Sequence, residues 1–182
     1  LSRLVGSEMC IRDRYIRIWN TSTGQNVRSV IAVSGGGTGK LSWSADGRFI
    51  GVTSQAADEF DIYYASNLTS VHGALSSDVG GGDYTYDIDI SPDGTKAAVA
   101  IGRSGNGGTN GVVRVMDVIN GTVMQNLNPG GEDRFHSVDF SPSGSHIAIG
   151  TVGDYYVVDA SSWATTRSAV SYTHLTLPTS PH

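Results

Sequence analysis

Three corners of one type recur in this chain at nearly constant spacing, and they restrict its fold more than any other feature. Ser44-Ala45-Asp46-Gly47, Ser91-Pro92-Asp93-Gly94 and Ser141-Pro142-Ser143-Gly144 each follow a short alternating apolar run, at residues 40–43, 86–90 and 136–140. The corner glycines stand 47 and 50 residues apart. Alternation at period 2 marks a strand, because successive side chains of an extended chain point to opposite faces. Proline at the second corner position presets φ near about −65°, and glycine at the fourth relieves crowding as the chain departs. A strand–turn–strand hairpin is predicted at each corner, most completely over residues 135–159.

A second register repeats in phase with the first. Arg17-Ile18-Trp19-Asn20, Asp61-Ile62-Tyr63-Tyr64, Arg114-Val115-Met116-Asp117 and Val157-Val158-Asp159 each read as an apolar strand ending at a polar turn. Together these motifs resemble the WD40 and YVTN-type β-propeller repeats over residues 15–169. The corner spacing agrees with the roughly 40–50 residues of one blade. The resemblance implies four-stranded antiparallel blades set radially, each burying both faces against its neighbours. Two departures qualify it. Histidine is missing at Gly80-Gly81 and Gly130-Gly131, where many WD40 repeats open with Gly-His, and the Trp-Asp ending survives only as Trp19-Asn20, Met116-Asp117 and Val158-Asp159. The family's buried His and Asp hydrogen-bond network is therefore not carried over.

The expected fold is an all-β, β-propeller fragment of about three and a half blades. A closed ring needs about 4 to 8 blades, so an open arc is expected, with the remaining blades of a parent propeller as its natural neighbours. Strands are predicted at residues 15–19 and 27–33, then 40–44, 48–53, 60–64 and 68–75, then 84–90, 96–101, 111–117 and 122–127. The last blade takes residues 135–141, 146–151, 155–159 and a partial strand at 165–169.

The ends, 1–14 and 170–182, lack the alternation and turn chemistry of the repeats. Residues 8–13 and 170–175 can be back-translated to nearly reverse-complementary DNA, and both resemble a translated transposon-end sequencing adaptor. Such segments are excluded from fold reasoning, which leaves 15–169 as the native, metagenomic insert. Cys10, the single cysteine, falls in the first tail, so the insert is predicted to hold neither a disulfide nor a cysteine-ligated metal.

The chain carries 17 acidic and 12 basic side chains, with lysine only at positions 40 and 96. Nucleic-acid binding through phosphates needs clustered Lys and Arg, which are missing here. No run approaches the roughly 20 apolar residues of a membrane helix. The compartment is open, with the lysine-poor, Asn- and Gly-rich composition leaning toward an exported protein.

Several motifs bear on chemistry. Gly35-Gly36-Gly37-Thr38-Gly39-Lys40 is similar to part of a phosphate-binding loop, but Ser34 takes the first glycine position, Leu41 replaces the Ser or Thr, and a strand follows. It reads as a connection between blades. Asp87, Asp89 and Asp93 do not match an EF-hand, since Pro92 takes the glycine position. Asp89 and Asp139 occupy equivalent repeat positions on innermost strands. There they either gather round a cation, calcium being the candidate, or hydrogen-bond a neighbouring strand, and the second reading is preferred. His72, His136 and His146 lack metal-site spacing. The triplets at Asn20, Asn67 and Asn120 match a glycosylation pattern but fall at turns, where Asn serves the backbone. Tyr84, Tyr86, Tyr155 and Tyr156 read as blade packing.

The glycine-rich stretch 102–110 departs from the shared blade length, which makes it the candidate binding loop, with Arg103, Asn106 and Asn110 as its contacts. The function expected is a non-enzymatic interaction scaffold that binds another protein through loop surfaces, with no catalytic residues and no cofactor. The alternative is a propeller enzyme of lactonase or quinoprotein type holding calcium or a cofactor in its channel.

Overall fold

The computed structural model describes residues 15–32, 38–54, 59–72, 75–76, 83–103, 111–131 and 134–170. Among the described residues, fourteen strands form four antiparallel sheets. The first sheet has two strands, β1 (Tyr15–Trp19) and β2 (Asn26–Ile31). The second runs β3 (Thr38–Trp43), β4 (Phe49–Ser54), β5 (Glu59–Tyr64) and β6 (Leu75–Ser76). The third runs β7 (Asp83–Ile90), β8 (Lys96–Arg103), β9 (Val112–Asp117) and β10 (Val123–Leu127). The fourth runs β11 (Ser137–Phe140), β12 (His146–Gly150), β13 (Asp154–Asp159) and β14 (Thr165–Val170). Each four-stranded sheet is a simple meander in chain order, the layout expected of a blade.

Sheets stack in sequence because the alternation serves both faces. In β8 Ala97, Val99 and Ile101 pack toward the second sheet with Phe49, Phe60 and Ile62, while Ala98 and Ala100 pack toward the fourth with Phe135, Phe140 and Ile147. Small alanines opposite large aromatics let the two layers interdigitate. A third cluster joins Ile16, Ile18 and Ala32 of the first sheet to Ile50, Val52 and Tyr63 of the second. The Tyr63 hydroxyl donates to the Ala32 carbonyl across this junction. Each buried cluster thus spans two adjacent sheets.

The corners work through a serine. Ser44, Ser91 and Ser141 each accept, on Oγ, the amide five residues on, at 2.9 to 3.1 Å. The Ser44 and Ser91 hydroxyls donate to Asp46 and Asp93, and Ser143 takes the carboxylate's place in the fourth sheet. Gly47, Gly94 and Gly144 have φ of 75°, 71° and 71°, the left-handed region where a Cβ is unfavourable.

The second register closes each third strand with one backbone pattern. The amides of Gly24, Leu68, Gly121 and Trp163 donate to the carbonyls of Asn20, Tyr64, Asp117 and Asp159. All four donors have positive φ, including Leu68 at 58° and Trp163 at 61°. The Asn20, Asp117 and Asp159 carboxamide or carboxylate oxygens accept the next turn amides. In the second sheet, where Tyr64 cannot do so, Asn67 accepts the Thr69 amide instead. Asn20 and Asn67 are therefore turn-forming residues.

Two strand boundaries differ from expectation. Residues 68–75 do not form one strand: Leu68 turns left-handed, Ser70 makes a single bridge to Tyr63, and β6 is described at Leu75–Ser76. The stretch 102–110 does not begin as a loop, because β8 continues through Gly102 and Arg103, which pair with Tyr84 and Asp83. Gly102 is buried, and a Cβ there would meet the Tyr86 ring at 2.7 Å and the Arg134 Cα at 3.1 Å, so only glycine lets these backbones approach.

Candidate functional site

The innermost strands β3, β7 and β11 lie side by side, and one repeat position links them. Ser42, Asp89 and Asp139 each stand two residues before a corner serine. The Ser42 hydroxyl donates to Asp89 Oδ1 at 2.6 Å, and the Phe140 amide donates to Asp89 Oδ2 at 2.7 Å. One carboxylate on the third sheet thereby holds the second and the fourth. Two residues earlier, Asp87 Oδ2 accepts the Val138 amide at 3.1 Å and Asp87 Oδ1 the Ile88 amide at 3.1 Å.

The structure brings Asp139 beside Asp89, as their equivalent positions predict. Desolvation pushes the Asp139 carboxyl above the usual carboxylate range, and the neighbouring charges of Asp89 and Asp87 push it the same way. Desolvation also raises Asp87, against the opposing hydrogen bonds from Val138 and Ile88 and the charge of Lys40. These carboxylates border a cavity of about 570 Å³, with Ser42, Ser137 and Tyr155 on its walls. Among the described residues no group of three or more His, Cys, Asp or Glu side chains could hold a metal ion. Both Asp89 oxygens already accept protein hydrogen bonds, which matches a strand-pinning role.

Among the described residues the histidines make three different kinds of contact, and the buried His136 Nε2 has no hydrogen-bond partner. His72 Nε2 lies 2.7 Å from the Val118 carbonyl, His146 Nδ1 lies 2.8 Å from Ser145 Oγ, and the His136 ring packs on Tyr86 at 4.6 Å between centroids. Tyr156 is buried, whereas Tyr155 is 54% exposed at the cavity mouth.

Of the predicted binding contacts, Arg103 is the last residue of β8, while Asn106 and Asn110 lie outside the described residues. In a meander the first and third strands end on the same edge, so the serine corners and the second-register turns share one edge. The amides of Ala65, Val118 and Ala160 accordingly donate to the carbonyls of Arg48, Thr95 and Ser145. Arg103, at the end of a second strand, lies at the opposite edge.

Sequence reasoning missed Ser42 and Arg48. Ser42 was findable by aligning the three corners. Arg48, which pairs with Asp46 and donates from Nη2 to the Asp93 carbonyl at 3.0 Å, ties two corners together, and the short side chains at the equivalent positions Thr95 and Ser145 gave no hint of it.

This architecture is that of part of a β-propeller. The chain superposes with a TM-score of 0.68 on the Cps50 (Swd1) beta-propeller domain of Myceliophteria thermophila, at 18% identity, covering 86% of this chain and 48% of that one. It is equally similar to hydrazine synthase of Kuenenia stuttgartiensis, with a TM-score of 0.68 at 18% identity over 86% of this chain and 43% of that one. The chain thus spans less than half the length of either structure. No protein-family model and no curated protein sequence matches it.

Proposed function

We propose that the chain is part of a non-enzymatic β-propeller scaffold that binds another protein through loops on the edge opposite the serine corners. The observation that carries this reading is the use of the innermost carboxylates. Asp87 and Asp89 give their oxygens to amides and a hydroxyl of adjoining strands, which supports a cohesive role for these two carboxylates over a catalytic one. The fold itself is shared by a Swd1 propeller domain and by hydrazine synthase, so it does not choose between scaffold and enzyme.

The competing reading places calcium between Asp89 and Asp139 in a catalytic channel. Thermal melting with and without calcium separates the two. A ligand that binds only the folded state raises its stability in proportion to occupancy. The scaffold reading expects the same melting temperature from chelator to millimolar-range calcium. A calcium-dependent rise that Asp139→Asn abolishes would overturn it in favour of a metal site.

A further inference from the structure

Three Asn-X-Ser/Thr triplets, at Asn20, Asn67 and Asn120, lie in the second-register turns, and the fold uses the third asparagine differently from the other two. Asn20 Oδ1 accepts the Ser22 and Thr23 amides at 2.8 and 3.0 Å. Asn67 Oδ1 accepts both the amide and the hydroxyl of Thr69, at 3.0 and 2.8 Å. These two carboxamides build their turns and cannot leave them without breaking both bonds.

Asn120 is released from that task. Like Asn67, it stands one residue before the left-handed turn position, but in its turn Asp117 Oδ1 already accepts the amides of Ile119 and Asn120, at 2.9 and 2.7 Å. Asn120 and Thr122 are both exposed, and among the described residues neither the Asn120 carboxamide nor the Thr122 hydroxyl has a hydrogen-bond partner. The backbone beneath them is held. Gly121 donates its amide to the Asp117 carbonyl at 3.0 Å, and a Cβ on Gly121 would meet the His72 ring at 3.1 Å. An amide so engaged is poorly placed to attack the Asn120 side chain, the reaction by which Asn-Gly pairs lose their carboxamide.

We propose that Asn120 is a glycosylation site that takes a hexose on Nδ2 from a nucleoside-diphosphate sugar. The triplet is the acceptor pattern for N-linked sugar, a bulky modification suited to a surface position. In the transfer Nδ2 forms a bond to sugar C1 as the bond from C1 to the diphosphate oxygen breaks. The bonding pair leaves with the nucleoside diphosphate, and one Nδ2 proton passes to solvent. A transferase must draw the carboxamide away from the turn, which breaks two hydrogen bonds at Asn20 or Asn67 and none at Asn120. That difference exists only in the folded chain, so the donor class is a soluble nucleotide sugar acting after folding. Asn120 lies on the serine-corner edge, and a sugar there leaves the opposite edge to the protein partner proposed above. Either proposal can fail without the other.

The test incubates the full folded chain, and in parallel its tryptic peptides, with a soluble asparagine glucosyltransferase and UDP-glucose. Peptide mass spectrometry then maps the hexose. The peptides, which lack the turns, should accept sugar at all three asparagines. The folded chain should accept it at Asn120, with Asn20 and Asn67 occupied about tenfold less or lower still. Thr122→Ala should abolish transfer to Asn120, and Thr122→Ser should retain it. No sugar at Asn120 in the folded chain, or equal occupancy of all three asparagines there, would overturn the proposal. So would conversion of Asn120 to aspartate before the transferase is added, since the acceptor would not persist.

Discussion

Asp89 Oδ2 accepts the Phe140 amide at 2.7 Å while Oδ1 accepts the Ser42 hydroxyl, so one side chain joins three consecutive sheets. Asp89→Ala leaves a partly buried amide without its acceptor, and we expect a loss of about 1–3 kcal/mol. Asp89→Asn keeps only one good acceptor and should fall between Ala and the parent. Urea denaturation monitored by circular dichroism checks the order.

Asp139 has the opposite balance. Its carboxyl is held above the ordinary range by desolvation and by the charges of Asp89 and Asp87, so ionisation opposes folding. For a group raised in the folded state, that opposition is fully present above the folded pKa and vanishes below the unfolded one. Asp139→Asn should therefore raise the melting temperature at neutral pH. The gain should shrink as pH falls toward the ordinary carboxylate range, and a pH series of melts on both proteins measures it.

The corner carboxylate Asp93 behaves in reverse. Hydrogen bonds led by the Ser91 hydroxyl, then the Thr95 amide, lower its pKa to about 2. Its contribution is complete above the unfolded carboxylate range and is lost as pH drops through about 2. Ser91→Ala removes the leading donor and should move the acid-unfolding midpoint upward. Grafting the same device into the fourth sheet with Ser143→Asp should stabilise it by about 0.5–1.5 kcal/mol at neutral pH.

Leu68 holds a left-handed conformation that Gly24 and Gly121 adopt at the equivalent turns, and it does so because its side chain is buried, at 4% exposure, in the cluster joining the first two sheets. Glycine there would relieve about 1–2 kcal/mol of strain. Losing a buried leucine costs about 2–5 kcal/mol. Leu68→Gly should thus be net destabilising by about 2 kcal/mol, the midpoint of a difference that spans about 0–4 kcal/mol. A stabilised Leu68→Gly variant would show that the packing is weaker than its burial implies.

Gly102 is exchangeable only at the expense of the Tyr86 and Arg134 positions. Gly102→Val should lower the melting temperature by more than Ala148→Val at an exposed strand position, and paired melts of the two variants decide it.

What the sequence revealed follows from which interactions are local. Corner chemistry acts within a few residues, so Ser91, Asp93 and Gly94 announce their turn, and alternation fixes which of Ala97 to Ile101 faces which neighbour. The gathering of Asp89 and Asp139 was legible because a repeat carries equivalent positions to equivalent places. The second-to-fourth-sheet role of Asp89 was not, since it depends on the sheet spacing that brings Ser42 and the Phe140 amide within reach. Leu68 and Gly102 misled for the same reason: burial by distant residues, not local preference, sets their conformation.

The pairwise confinement of the apolar clusters has a consequence for how order is lost. Among the described residues, the third sheet is shielded on both faces, while the first has one neighbour and half the usual width. Melting should proceed as fraying from the β1 end inward, and the slowest-exchanging amides should be those of β8, the strand sealed from water along residues 97–101.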